Sequence, residues 1–158
     1  MTSAVLTAWR LVKARRADGA FTGEGARRYG GRWNRPGTAV VYLADSLALA
    51  ALEQFVHLGP AHASMAFVAF RVRIPADLVE ELPARALPPN WRQQPPPPQT
   101  MDIGSRWAAR GASAVLKVPS VVVPVEHNYV LDPNHADFAR IDIDAPVPFG
   151  FDPRMWKA

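Results

Sequence analysis

Arg32, Tyr42, Glu53 and His57 fall within 26 residues of one another and bring a guanidinium, an aromatic hydroxyl, a carboxylate and an imidazole into one short stretch. Arg32 follows a Gly-Gly pair, in Gly30-Gly31-Arg32-Trp33-Asn34-Arg35-Pro36-Gly37. Glycine lets a backbone approach a ligand closely, and a guanidinium grips phosphate or carboxylate through two parallel bonds. The same pattern also suits a plain turn with a surface arginine beside a packed indole. Tyr42 is either an ordinary half-buried tyrosine or a ring on which a flat ligand stacks. Glu53 is harder to set aside. Its helical neighbours would be Leu49, Ala50, Val56 and His57, which puts a carboxylate at the edge of an apolar stripe. Such a group is paired, protonated or functional, and His57 offers the pairing.

Other polar residues carry weaker signals. Ser120, between Pro119 and three valines, suits a turn, and no nucleophile elbow surrounds it. His127, Asn128, His135 and Asp137 include possible metal ligands, but their spacing matches no metal motif, and no metal is expected. No GxGxxG or P-loop pattern occurs.

These residues need elements to hold them. Val5–Val12 and Met65–Ile74 are predicted strands, as is Thr38–Ala44 with its β-branched and aromatic residues. Ser46 is placed to cap a helix running to His57, which Gly59-Pro60 stops. Residues 15–31 form a polar, glycine-rich segment predicted to be an irregular loop, a plausible lid. Residues 83–98 are proline-rich, with polyproline II the natural state and a surface crossover the expected role. Thr100–Gly111 is predicted helical. Short strands are expected at 114–118, 121–125, 128–131 and 139–143. The fold class is α+β, with short, mostly antiparallel strands and a few helices.

Bulk properties bound the function. The 158 residues, with 49% hydrophobic and 20% charged, suit one globular domain. The absence of cysteine excludes disulfides and thiolate chemistry and fits a cytoplasmic protein. No apolar run approaches the roughly 18 residues of a membrane span. A net charge of +4 and a pI of ≈ 10.0 leave open a nucleic-acid-binding module or ribonuclease. The basic residues are scattered, however, and a small anionic ligand explains them as well.

Beyond these readings the chain resembles the RES-domain toxins. The resemblance lies in Ala8-Trp9-Arg10-Leu11-Val12, in Gly30-Gly31-Arg32-Trp33-Asn34 with Gly37, and in Val41-Tyr42-Leu43-Ala44 followed by the Glu53 helix. It continues in Val118-Pro119-Ser120, Glu126-His127-Asn128-Tyr129 and Asp132-Pro133-Asn134-His135. The resemblance implies a single domain over 1–158 with a fold like the ADP-ribosyltransferases. It also implies a toxin of a bacterial toxin–antitoxin pair that takes NAD as co-substrate, and an antitoxin with an Xre-like helix-turn-helix region. Some members split or phosphorolyse NAD, and others transfer ADP-ribose to a protein. The family's arginine, glutamate and serine are placed at Arg10, Glu53 and Ser120. The implied roles put Glu53 at the ribose, Tyr42 on the nicotinamide, and Arg32 and Arg10 on the pyrophosphate. Ser120 and Asn128 would complete the polar contacts, with His57 orienting Glu53 or touching the ribose.

Overall fold

Two nine-residue strands form the spine of the sheet. The computed structural model describes residues 4–156; the expected domain limits 1–3 and 157–158 lie outside them. Strand β1 (Val5–Lys13) pairs antiparallel with a later strand, Phe67–Pro75, over its whole length, from Val5 opposite Pro75 to Lys13 opposite Phe67. Apolar side chains alternate along both strands, so each buries one set on each face.

After β1 come α1 (Glu24–Tyr29), β2 (Val41–Ala44), α2 (Leu47–Phe55), β3 (Phe67–Pro75) and β4 (Val79–Glu81). Helix α3 (Pro98–Arg110) then leads to β5 (Val115–Pro119), β6 (His127–Leu131), β7 (Asp142–Ile143) and β8 (Val147–Phe149). The sheet runs β4-β5-β6-β2-β1-β3-β7, with β8 also on β3. Pairings are antiparallel except β4 with β5. The join between β1 and β2 is narrow: the strands are in register only at Trp9 opposite Ala44.

Alternation on the strands builds a core on each face. Ala8, Leu43, Val72, Val115 and Leu131 fill one. Trp33, Val40, Leu116, Val118 and Val130 fill the other, under Trp107 of α3. Helix α2 lays Leu47, Ala50 and Ala51 over Trp9, Leu11 and Phe67. Its cap is the expected one, with Ser46 Oγ accepting from Leu49 N at 3.1 Å. The regular helix ends at Phe55, so His57 lies in the turn beyond it.

Several expected elements differ. Residues 121–125 are not a strand despite their valines. Ser120 Oγ accepts from Val122 N and Val123 N, and Ser120 N and Glu126 N close the loop on Glu126 O and Val123 O. Those local bonds take the backbone groups a ladder would need. The strand expected at 139–143 shrinks to Asp142–Ile143, because a 3₁₀ turn occupies Ala136–Arg140. Residues 15–31 hold a 3₁₀ turn and α1, the latter between Gly23 (φ 74°) and Gly30 (φ 73°). Helix α1 buries no side chain, so no apolar period announces it. The proline-rich segment is a surface crossover but a folded one: Leu87 and Trp91 pack back against the α3 core.

Candidate active site

The Gly30–Pro36 turn is built around one buried amide. Asn34 is fully buried, and its Nδ2 donates to the carbonyls of Ala26, Arg35 and Thr38 at 2.8, 3.2 and 3.0 Å. Its Oδ1 accepts from Tyr42 Oη at 2.6 Å, and Tyr42 Oη in turn accepts from Trp33 N at 3.0 Å. Gly31 is required by closeness: a Cβ there would stand 2.7 Å from Tyr42 Oη. Burial raises the Tyr42 phenol far above its ordinary range. The hydroxyl is thus spent on the turn, and only the ring is offered to a ligand.

The turn turns Arg32 outward. Arg32 Nη1 donates to the carbonyls of Trp91 and Gln93 at 3.0 and 2.7 Å, pinning the proline-rich segment beside it. Its Nε and Nη2 hydrogens have no partner among the described residues, which leaves a fork able to take an anion. Arg10 is more committed. Its Nε donates to Ala20 O at 2.6 Å and its Nη1 to Tyr42 O at 3.0 Å, so it bridges β1, β2 and the segment before α1. Burial lowers its pKa to about 10, which leaves it charged at neutral pH.

Glu53 projects from α2 toward the loop and strand that follow Pro119. Ser120 Oγ donates to Glu53 Oε2 and Asn128 Nδ2 to Glu53 Oε1, both at 2.8 Å. Asn128 Nδ2 also reaches Leu43 O at 3.1 Å, tying the pair to β2. Burial raises the Glu53 pKa; the bonds from Ser120 and Asn128 oppose that, and the nearby charge of Glu126 adds to it. The pairing that His57 might have supplied comes from Ser120 and Asn128 instead. Ser120 is fully buried and serves to hold Glu53.

Arg10, Arg32, Tyr42, Glu53, His57 and Asn128 line one cleft of about 700 Å³. Four of these six side chains come from β1, the glycine turn, β2 and α2; His57 comes from the turn after α2 and Asn128 from β6. Ser120 does not line the cleft. Residues that carried no sequence signal do, among them Arg16, exposed and without an ion pair among the described residues, and Gln54, beside the carboxylate. Arg16 sat in an unremarkable Arg-Arg pair, and only the 3₁₀ turn at 14–19 brings it to the cleft. His127 opens β6 and His135 caps the 3₁₀ turn at 136–140. His127 N donates to Asp45, while His135 Nδ1 accepts from Asp137 N and its Nε2 lies 2.9 Å from Gly111 O. Among the described residues there is no group of three or more potential ligands that could hold a metal.

A curled, mostly antiparallel sheet with a few helices places this chain among the α+β proteins. The chain belongs to the RES domain family, which matches residues 7–152. It is 40% identical over 148 residues to "Toxin Res" of Yersinia enterocolitica, covering 93% of this chain and 97% of that one. It is 35% identical over 152 residues to the "Prs ADP-ribosylating toxin" of Sphingobium sp., covering 93% and 94%. In fold it is similar to a chain of the M. tuberculosis MbcT-MbcA toxin-antitoxin complex, with a TM-score of 0.75 at 21% identity over 98% of this chain and 88% of that one.

Proposed function

We propose that this protein is the cytoplasmic toxin of a toxin–antitoxin pair, and that it cleaves the nicotinamide–ribose bond of NAD and transfers ADP-ribose to a protein. The observation that carries the reading is Glu53, a carboxylate held on both oxygens by neutral donors at a cleft with Arg10, Arg16 and Arg32 in its walls. The names of the relatives support the same reaction class and the toxin role.

The site suits the ligand. A cleft of this volume encloses a ligand of cofactor size. The free fork of Arg32 and the unpaired Arg16 suit a diphosphate, while Arg10 adds fixed positive charge from beneath. The Tyr42 ring offers a face for the nicotinamide. When the bond to ribose breaks, its electron pair leaves with the nicotinamide and positive charge grows on the sugar. An ionised Glu53 stabilises that charge, and its two hydrogen bonds hold it in place before the charge appears. Ser120 and Asn128 therefore act through Glu53, and His57 at the cleft wall is free to meet the ribose or a proton.

The positive balance supports the nucleic-acid reading less than the count of arginines suggests, because many of them sit in local ion pairs. Arg27 and Arg28 pair with Glu24, Arg35 with Asp102, Arg71 and Arg73 with Asp144, Arg110 with Glu80, and Arg140 with Asp77. An antitoxin with an Xre-like helix-turn-helix region would cover a cleft whose open arginines favour an acidic segment.

Incubation with labelled NAD and a cell lysate, with and without phosphate, tests the reaction. Label on a protein is the expected result; free ADP-ribose or its phosphate would replace transfer by hydrolysis or phosphorolysis, and intact NAD would overturn the reading. A second expectation concerns pH. Activity that needs ionised Glu53 should fall off on the acid side at a pH above the ordinary carboxylate range. Ser120→Ala removes a bond that favours the ionised form, so its acid limb should move further up. Glu126→Gln removes a repelling charge, so its limb should move down. Rate profiles unmoved in both variants would disconnect Glu53 from the rate.

A further inference from the structure

Two hollows meet at Glu53. Beside the large cleft lies a second of about 210 Å³, at the seam where β1 and β2 are in register only at Trp9 and Ala44. Arg10, Tyr42, Glu53, Gln54 and His57 wall both. The smaller hollow has its own apolar walls in Trp9, Leu11, Leu43, Ala44 and Ala50.

We propose that the smaller hollow admits the acceptor of the transfer, a neutral amine or hydroxyl carried on a protein side chain. The inference rests on the NAD reading above. Size and walls argue for it. The hollow is several times the roughly 30 Å³ that a water occupies, so a single water would leave most of it unfilled. Phosphate would need open cations, but the hollow's single cation is Arg10, whose Nε and Nη1 already serve two carbonyls. Arg16, without an ion pair among the described residues, and Arg32, with Nε and Nη2 open, stand in the large cleft alone. A side chain with an apolar stem and a polar tip matches both the walls and the polar junction.

The junction can also complete the chemistry. The side-chain amide of Gln54 has no hydrogen-bond partner among the described residues, so its carbonyl is available to orient an N–H or O–H. The acceptor's nitrogen or oxygen bonds to the ribose carbon as the bond to the nicotinamide nitrogen breaks. Nicotinamide leaves neutral with the electron pair, and the acceptor's proton passes to His57. Gln54 and His57 line both hollows, which puts them beside the two reacting partners at once.

Ala50→Leu fills the smaller hollow from α2 without touching the large cleft. NAD affinity, measured by calorimetry, should stay within about twofold, while label transferred to lysate protein falls about tenfold or more. Equal loss of NAD binding and transfer in a folded variant would mean that the hollow holds part of NAD. No change in either would mean that it holds nothing. Both results overturn the proposal. Ala50→Val, a smaller intrusion, should give the same split in lesser degree if the leucine variant fails to fold. Wild-type protein that neither binds nor consumes NAD would refute the underlying reading instead, so the two failures are separable.

Discussion

Glu53→Gln is expected to cut NAD consumption by about 10²–10³-fold, the usual loss when a fixed charge-stabilising group is removed from a transition state. The fold should survive. Glutamine keeps the shape and accepts from Asn128, while the buried charge disappears. The sign of the pH effect separates this from simple damage. Burial puts the folded-state pKa of Glu53 above its unfolded value, so the folded chain binds the extra proton between the two. Wild-type stability therefore erodes as pH climbs out of the ordinary carboxylate range and through the raised pKa, and glutamine has no such loss. Melting curves over a pH series should show the variant gaining on the wild type as pH rises, with the gap closing in acid. Full turnover by a folded variant would remove Glu53 from the chemistry.

Gly104→Ala is expected to destabilise the protein, against the usual trend. In a free helix the change gains about 1 kcal/mol. Here α3 crosses the glycine turn so closely that a Cβ on Gly104 would lie 1.6 Å from Trp33 O. The carbonyl cannot yield alone, because Arg35 N donates to Ser105 Oγ at 2.9 Å and Arg35 Nε is bonded to Asp102. Helix and turn must part. Overpacking of this kind costs roughly 1–3 kcal/mol or more, and at about 2–4 °C per kcal/mol the fall in Tm is roughly 2–12 °C. Arg32 rides on the same turn, so NAD affinity should fall as well. Gly25→Ala is the control: no atom lies within 4 Å of its Cβ, and its φ is ordinary, so the melting temperature should hold or rise slightly.

How far the sequence foretold this molecule depends on the range of the forces involved. Strands β1 and β3 were legible because alternation over nine residues is a local signal. The cap at Ser46 and the αL stop of α3 at Gly111 (φ 65°) were legible for the same reason. The valines at 121–125 misled, since propensity says nothing of a serine that captures two amides. β4 and β8 were missed: each has three residues, and each exists only because a longer partner strand is already in place. Within the site, the awkward position of Glu53 was visible, but its partners were not. They lie 67 and 75 residues away, and His57 was the nearer suggestion. Likewise the glycine turn could be seen, but not that Tyr42 spends its hydroxyl there.

Those long separations have a consequence for synthesis. The chain crosses the β1–β2 seam each time it passes from β1 to β2, β2 to β3, β3 to β4 and β6 to β7, so neither half of the sheet is a contiguous piece of the gene. Glu53 leaves the ribosome long before Ser120 and Asn128, the donors that fix it. A growing chain, or one cut short anywhere before residue 128, carries the carboxylate without its hold. On the function proposed above, the cleft gains its fixed carboxylate only once translation is nearly done.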